Sequence, residues 1–183
     1  MKYSGLLTAV IIGLFLAGTT VSGQNKSRQE KKTAKKQEAV EGYENMKKLV
    51  HSGLYEFSAI RAFPSGGSMV DLTTNPNRVV VNIYDVESDL PFYGTAYTAD
   101  LSGEGGIRFK GKLSNIVIEE RDRKQLVYVS FDVSHSGGSY KFSFEVFSSG
   151  DTRLTVIPSR KSTISYQGRI RPIEDEDEED EKK

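Results

Sequence analysis

Leu126-Val127-Tyr128-Val129-Ser130-Phe131-Asp132-Val133, a turn at Ser136-Gly137-Gly138, and then Tyr140-Lys141-Phe142-Ser143-Phe144-Glu145-Val146 form the stretch that decides the fold. Val127, Val129, Phe131 and Val133 occupy every second position of the first run, and Tyr140, Phe142, Phe144 and Val146 do so in the second. A period of two places these side chains on one face of a strand and their neighbours, here Lys141, Ser143 and Glu145, on the other. Two such runs joined by a Gly-Gly turn read as a hairpin. One apolar face and one polar face describe an antiparallel sheet with one side buried and the other in water.

The same rhythm continues in both directions. Upstream, the charged turn Glu120-Arg121-Asp122-Arg123-Lys124 links a run from Asn115 to Glu119, and Ile107, Phe109 and Leu113 alternate with Arg108, Lys110 and Lys112. Arg78 to Tyr84 is a strand with Val79, Val81 and Ile83 on one face, after the turn Asn75-Pro76-Asn77. Tyr55, Phe57 and Ala59 alternate until Pro64-Ser65-Gly66-Gly67, and Met69 to Leu72 is a weaker continuation. Downstream, Ser148-Ser149-Gly150-Asp151 turns the chain into Leu154 and Val156, and Ile164, Tyr166 and Ile170 mark a last strand. Strands at roughly 8–12-residue spacing joined by Gly, Ser, Asn and Asp turns predict an all-β sandwich or barrel. The short links from Ile107 onward favour a meander that closes into an up-and-down β-barrel, which leaves no open edges. A β-sandwich is the alternative, because both architectures want the same alternation.

The β region, residues 53–173, is flanked by segments of different character. Residues 1–23 read as a signal peptide: Lys2, an apolar run from Leu6 to Ala17, then Gly18-Thr19-Thr20-Val21-Ser22-Gly23. That run is shorter than the ~20 apolar residues of a membrane span, so the mature chain, beginning near Gln24, carries no transmembrane segment. Residues 24–37, with Lys26, Arg28, Lys31, Lys32, Lys35 and Lys36, read as a basic flexible linker or a fraying helix. Residues 38–52 read as an amphipathic helix with Val40, Tyr43, Met46, Leu49 and Val50 on its apolar stripe and a stop at Ser52-Gly53. Residues 174–183 are an acidic disordered tail, closed by Lys182 and Lys183. The two charged ends offset one another, giving a formal net charge of +0. No basic stripe is visible in the β region, so nucleic acid is not a predicted partner. Cys 0 removes thiolate nucleophiles, cysteine metal sites and lipid attachment at an N-terminal cysteine. The predicted address is periplasmic or secreted, and not that of a lipoprotein.

Candidate chemistry is sparse. His51 stands at a helix end and His135 beside a Gly-rich turn, neither in a metal-type spacing. Ser136 and Ser139 adjoin His135 only along the chain, and a triad is a matter of geometry. Gly103-Glu104-Gly105-Gly106 leads into a strand, so it reads as a turn rather than a phosphate loop. Asp85, Glu87 and Asp89 alternate after a strand and could pair as acid and base or hold a cation; the blander reading is a solvated edge at the strand's exit. No catalytic residue, metal ligand or cofactor follows. Phe92, Tyr93 and Tyr97 are the candidate ligand-binding residues: an aromatic cluster beside Pro91 and Gly94 that either packs a barrel corner or forms a cavity mouth.

The block Leu90-Pro91-Phe92-Tyr93-Gly94-Thr95-Ala96-Tyr97, followed by Gly105-Gly106-Ile107-Arg108-Phe109, is distinctive. It is framed by Tyr55-Glu56-Phe57 before Ala62 and Pro64, by Leu154-Thr155-Val156, and by Ile164-Ser165-Tyr166-Gln167-Gly168. From Tyr43 to Ile170 this pattern resembles the DUF4251 family, exported domains of unknown function from Bacteroidetes. The resemblance implies a lipocalin-like β-barrel and a cell-envelope address, and no activity. Many members look like lipoproteins, and this chain departs from them in lacking the cysteine. The functional expectation is a non-enzymatic envelope module that binds a small apolar ligand or a partner protein. The alternative is a structural or assembly factor that docks other envelope proteins through its charged tails.

Overall fold

The alternating segments become strands in the computed structural model, which describes residues 22–74, 77–97, 106–135 and 138–173. In chain order the elements are helix α1 (Ser22–Ser52) and strands β1 (Leu54–Pro64), β2 (Val70–Asp71), β3 (Arg78–Asn82), β4 (Asp85–Pro91), β5 (Gly106–Arg121), β6 (Leu126–His135), β7 (Gly138–Phe147), β8 (Asp151–Pro158) and β9 (Ile164–Pro172). The sheet order is β2-β1-β3-β4-β5-β6-β7-β8-β9, and β1 also pairs with β9. With the two-residue β2 set aside, eight antiparallel strands therefore close into a barrel. The closing pair runs from Tyr55 opposite Pro172 to Pro64 opposite Ile164. That continuous seam decides between the two architectures, because a sandwich would leave its sheets unjoined.

The barrel interior is solid. Val129 faces Phe144, Phe131 faces Phe142 and Val133 faces Tyr140 across β6 and β7. Phe57, Phe142, Phe144, Leu154, Val156 and Tyr166 have no accessible surface. An internal void large enough for water would leave accessible area on the side chains lining it, and these have none. Phe131 stacks on Phe142 at 5.3 Å between centroids, and Phe57 meets Phe144 edge-on at 5.8 Å. Closure requires one tight corner. β1 bulges between Ala59 and Arg61, so Ile60 and Arg61 both face outward, and Gly168 lies opposite. A Cβ on Gly168 would overlap the Ser58 carbonyl.

The chain divides into two units that part between Gln37 and Glu38. Residues 24–37, expected as a flexible linker or fraying helix, belong to the 31-residue α1. Lys, Gln, Arg, Glu and Ala are good helix formers, and neither Gly nor Pro interrupts residues 24–41. In the second unit, the C-terminal part of α1 packs on one barrel end through buried Tyr43 and Val50, with Met46 and Leu49 half-buried. Val40, placed on the same apolar stripe by its spacing, stays exposed. The helix stops at Gly53, whose φ of 67° and N–H donation to the Val50 carbonyl form a left-handed cap. Ile83, read with Val79 and Val81 as inward-facing, is instead 51% exposed with φ of 56°. The β3–β4 turn reverses the chain there and breaks the alternation. The apolar run of residues 6–17, expected as part of a signal peptide, and the acidic residues 174–183 lie outside the described residues.

Candidate functional site

Strand β4 delivers the aromatic block to the barrel end opposite the C-terminal part of α1. Leu90 is fully buried, and the Pro91 carbonyl accepts a 2.7 Å hydrogen bond from the Tyr166 hydroxyl. Burial, reinforced by nearby Tyr93, pushes the Tyr166 phenol well above its ordinary range and holds it as a donor. Past β4, Phe92 turns inward against the core, with the Lys161 ammonium 5.3 Å from its ring centroid. Lys161 also donates to the Gly106 carbonyl at 3.0 Å, tying this corner to the start of β5. Gly94 leaves no room for a side chain, because an added Cβ would fall 2.6 Å from the Phe92 ring.

From Gly94 on, the chain is stitched to the β8–β9 connection. The Thr95 N–H donates to Ser162 Oγ at 3.0 Å, the Ser162 N–H to the Thr95 carbonyl at 2.8 Å, and the Tyr97 N–H to the Arg160 carbonyl at 2.9 Å. Ala96 and Lys161 form an antiparallel bridge. On this fixed backbone, Tyr93 is 47% exposed and Tyr97 68%. The cluster thus divides: Phe92 packs inward, and the two tyrosines face solvent from an anchored rim.

Two cavities lie elsewhere, both as open grooves on the outer barrel wall. One, of about 370 Å³, is lined by Ile60, Arg61, Phe147, Asp151, Arg153 and Gln167, among others. The other, of about 470 Å³, lies over Val80, Asn82, Asp85, Glu87, Lys110 and Lys112. Neither touches the aromatic rim, and neither enters the barrel.

The acidic alternation of β4 meets a basic alternation on β5. Asp85, Glu87 and Asp89 stand directly opposite Lys112, Lys110 and Arg108, with ion pairs of 3.3, 2.9 and 2.7 Å. The three carboxylates form an exposed cross-strand ladder and do not converge as an acid–base pair. Among the described residues, no three His, Cys, Asp or Glu side chains gather as a metal site.

One cluster has no counterpart in the sequence reading. Glu120 and Asp122, both at the charged β5–β6 turn, are engaged by the C-terminal part of α1. Glu120 accepts Lys47 Nζ at 2.9 Å and pairs with His51 Nε2 at 2.9 Å, while Tyr43 donates to Asp122 at 2.9 Å. These partners are 69 or more positions apart along the chain in the His51 and Tyr43 pairs, so no local pattern could have revealed them. Hydrogen bonds from Lys47 and then His51 hold the Glu120 carboxyl below its usual range. Burial first, and the Asp122 carboxylate second, push the Tyr43 phenol up to about 12.

The model of the family described as a domain of unknown function, DUF4251, matches residues 36–170. The crystal structure of a DUF4251 family protein from Bacteroides eggerthii DSM 20697 is similar, with 21% sequence identity and a TM-score of 0.58. The likeness covers 73% of this chain and 89% of that one. A search of curated proteins finds no match.

Proposed function

We propose that this chain, which belongs to the DUF4251 family, is an exported, non-enzymatic binding module that meets a partner protein with the aromatic rim at Phe92, Tyr93 and Tyr97. One observation carries the reading: two tyrosines stand in solvent on a backbone pinned to the β8–β9 connection. Tyrosine is enriched at recognition surfaces because it offers large contact area with little rotamer freedom to lose. The filled interior argues against an enclosed apolar ligand, since binding pockets of drug-sized molecules run to hundreds of Å³. The ion-paired carboxylates of β4 argue against acid–base catalysis. Export rests on the leader-like residues 1–23.

The test compares wild type with a Tyr93→Ser/Tyr97→Ser double variant, each tagged and recovered from envelope extracts of the parent cell. Proteins enriched with wild type and lost with the variant, at unchanged circular dichroism, support the rim. An identical set from both sinks it. A second reading, assembly through charged tails, is favoured by the exposed lysines and arginine of α1 from Arg28 to Lys36. Removing residues 24–37 and 174–183 should then abolish the same enrichment while the double tyrosine variant retains it.

A further inference from the structure

Barrel closure leaves one strand half without a neighbour. β5 pairs with β4 only as far as Lys112 opposite Asp85, and the Leu113 N–H then donates to the Tyr84 carbonyl at 2.8 Å. Beyond that point β5 continues to Arg121 with β6 on one side only. No described strand lies along its other side. Alternate backbone N–H and C=O groups of an antiparallel strand point away from each neighbour, so this half offers an open ladder. Two of its side chains are uncovered as well: Ile116 is 43% exposed and Val117 45%.

We propose that this edge is a two-fold interface, in which β5 of one copy pairs antiparallel with β5 of a second copy, centred on Val117. The self-pairing is complementary in detail. With Val117 opposite its own counterpart, Ile116 meets Ile118, so β-branched residues face each other and no two acids do. A register centred on Ile118 would set Val117 against Glu119, and one centred on Glu119 would oppose two carboxylates. The bulge between Ser114 and Val117, with Asn115 at φ of 52°, ends the ladder on one side. Among the described strands, β5 also has no β6 partner over Gly106–Lys112, and the two-residue β2 stands at an edge of the sheet. A two-fold contact uses the same edge of both copies, so the assembly closes at a dimer instead of growing into a fibre. A three-residue ladder ~10 Å long covers far less than the ~800 Å² per partner of a standard interface, so the dimer is weak. This inference is independent of the aromatic rim, which lies at the other barrel end.

The chain has Cys 0, so an engineered thiol can report the register without background. Val117→Cys places two thiols on paired residues ~4.5–5.5 Å apart at Cα, a spacing that a disulfide spans. Glu119→Cys, two positions off the axis, separates them by ~13 Å. Ile157→Cys is a control of equal exposure, 47%, on β8. Under mild oxidation of the full chain, Val117→Cys should form disulfide dimers at least about tenfold faster than either control, which cannot reach disulfide geometry in this register. Thermal melts of the reduced variants confirm that each is folded. Equal rates in all three, or faster cross-linking of Glu119→Cys, would overturn the proposal, as would absence of dimer from all three.

Discussion

Tyr166 shows how much one side chain can organise: its ring lies in the core and its hydroxyl reaches the Pro91 carbonyl at the rim. Tyr166→Phe should cost about 1 kcal/mol, the usual loss for one buried neutral hydrogen bond, and loosen the rim without unfolding the barrel. Urea denaturation measures the loss; a variant as stable as wild type would show that the bond contributes nothing. Phe144→Ala is the larger change, because Phe144 touches Phe57, Phe131 and Phe142 in a core with no slack. About 3–5 kcal/mol should be lost, the range for deleting a buried aromatic ring. Positions of this kind are legible in a sequence, since alternation alone marks Phe142 and Phe144 as inward. Ile83 is the counter-example: it continues the alternation of Val79 and Val81, yet the turn's left-handed backbone turns it outward.

At the scale of elements, the C-terminal part of α1 is held to the β5–β6 turn by carboxylates of that turn. The Glu120 carboxyl is depressed in the folded state, so its contribution is present above the unfolded carboxylate range and is lost as pH falls through the folded value. Glu120→Gln should therefore lower the melting temperature above about pH 5, with the gap from wild type closing toward about pH 3. A pH-independent gap would mean that shape rather than charge seats the helix. Tyr43 behaves in the opposite sense. Its phenol is raised to about 12, so its stabilisation is complete below the ordinary phenol range and disappears as pH climbs through the raised value. Tyr43→Phe should flatten the alkaline limb of the stability profile, read by circular dichroism. The helix itself was legible from its spacing. Its seat was not, because Tyr43 and Asp122 are 79 positions apart.

At the scale of the molecule, residues 38–173 carry their own core and closure. A chain starting at Glu38 should therefore melt within about 2 °C of the full chain, less than the shift expected from 1 kcal/mol in a domain of this size. A much larger drop would show that the barrel depends on the basic helical segment. The sequence by itself determined the all-β class, the approximate place of most strands though not of β4, the inward aromatic set and the helix stop at Gly53. Each of these follows from local rhythm or local backbone preference, which a linear pattern carries in full. Only the tertiary structure decided for a barrel, through the β1–β9 seam, and only it filled the interior, turned Tyr93 and Tyr97 outward, and left half of β5 unpaired. Those outcomes depend on which distant strands meet and in what register, and a period of two is the same in every sheet a strand could join.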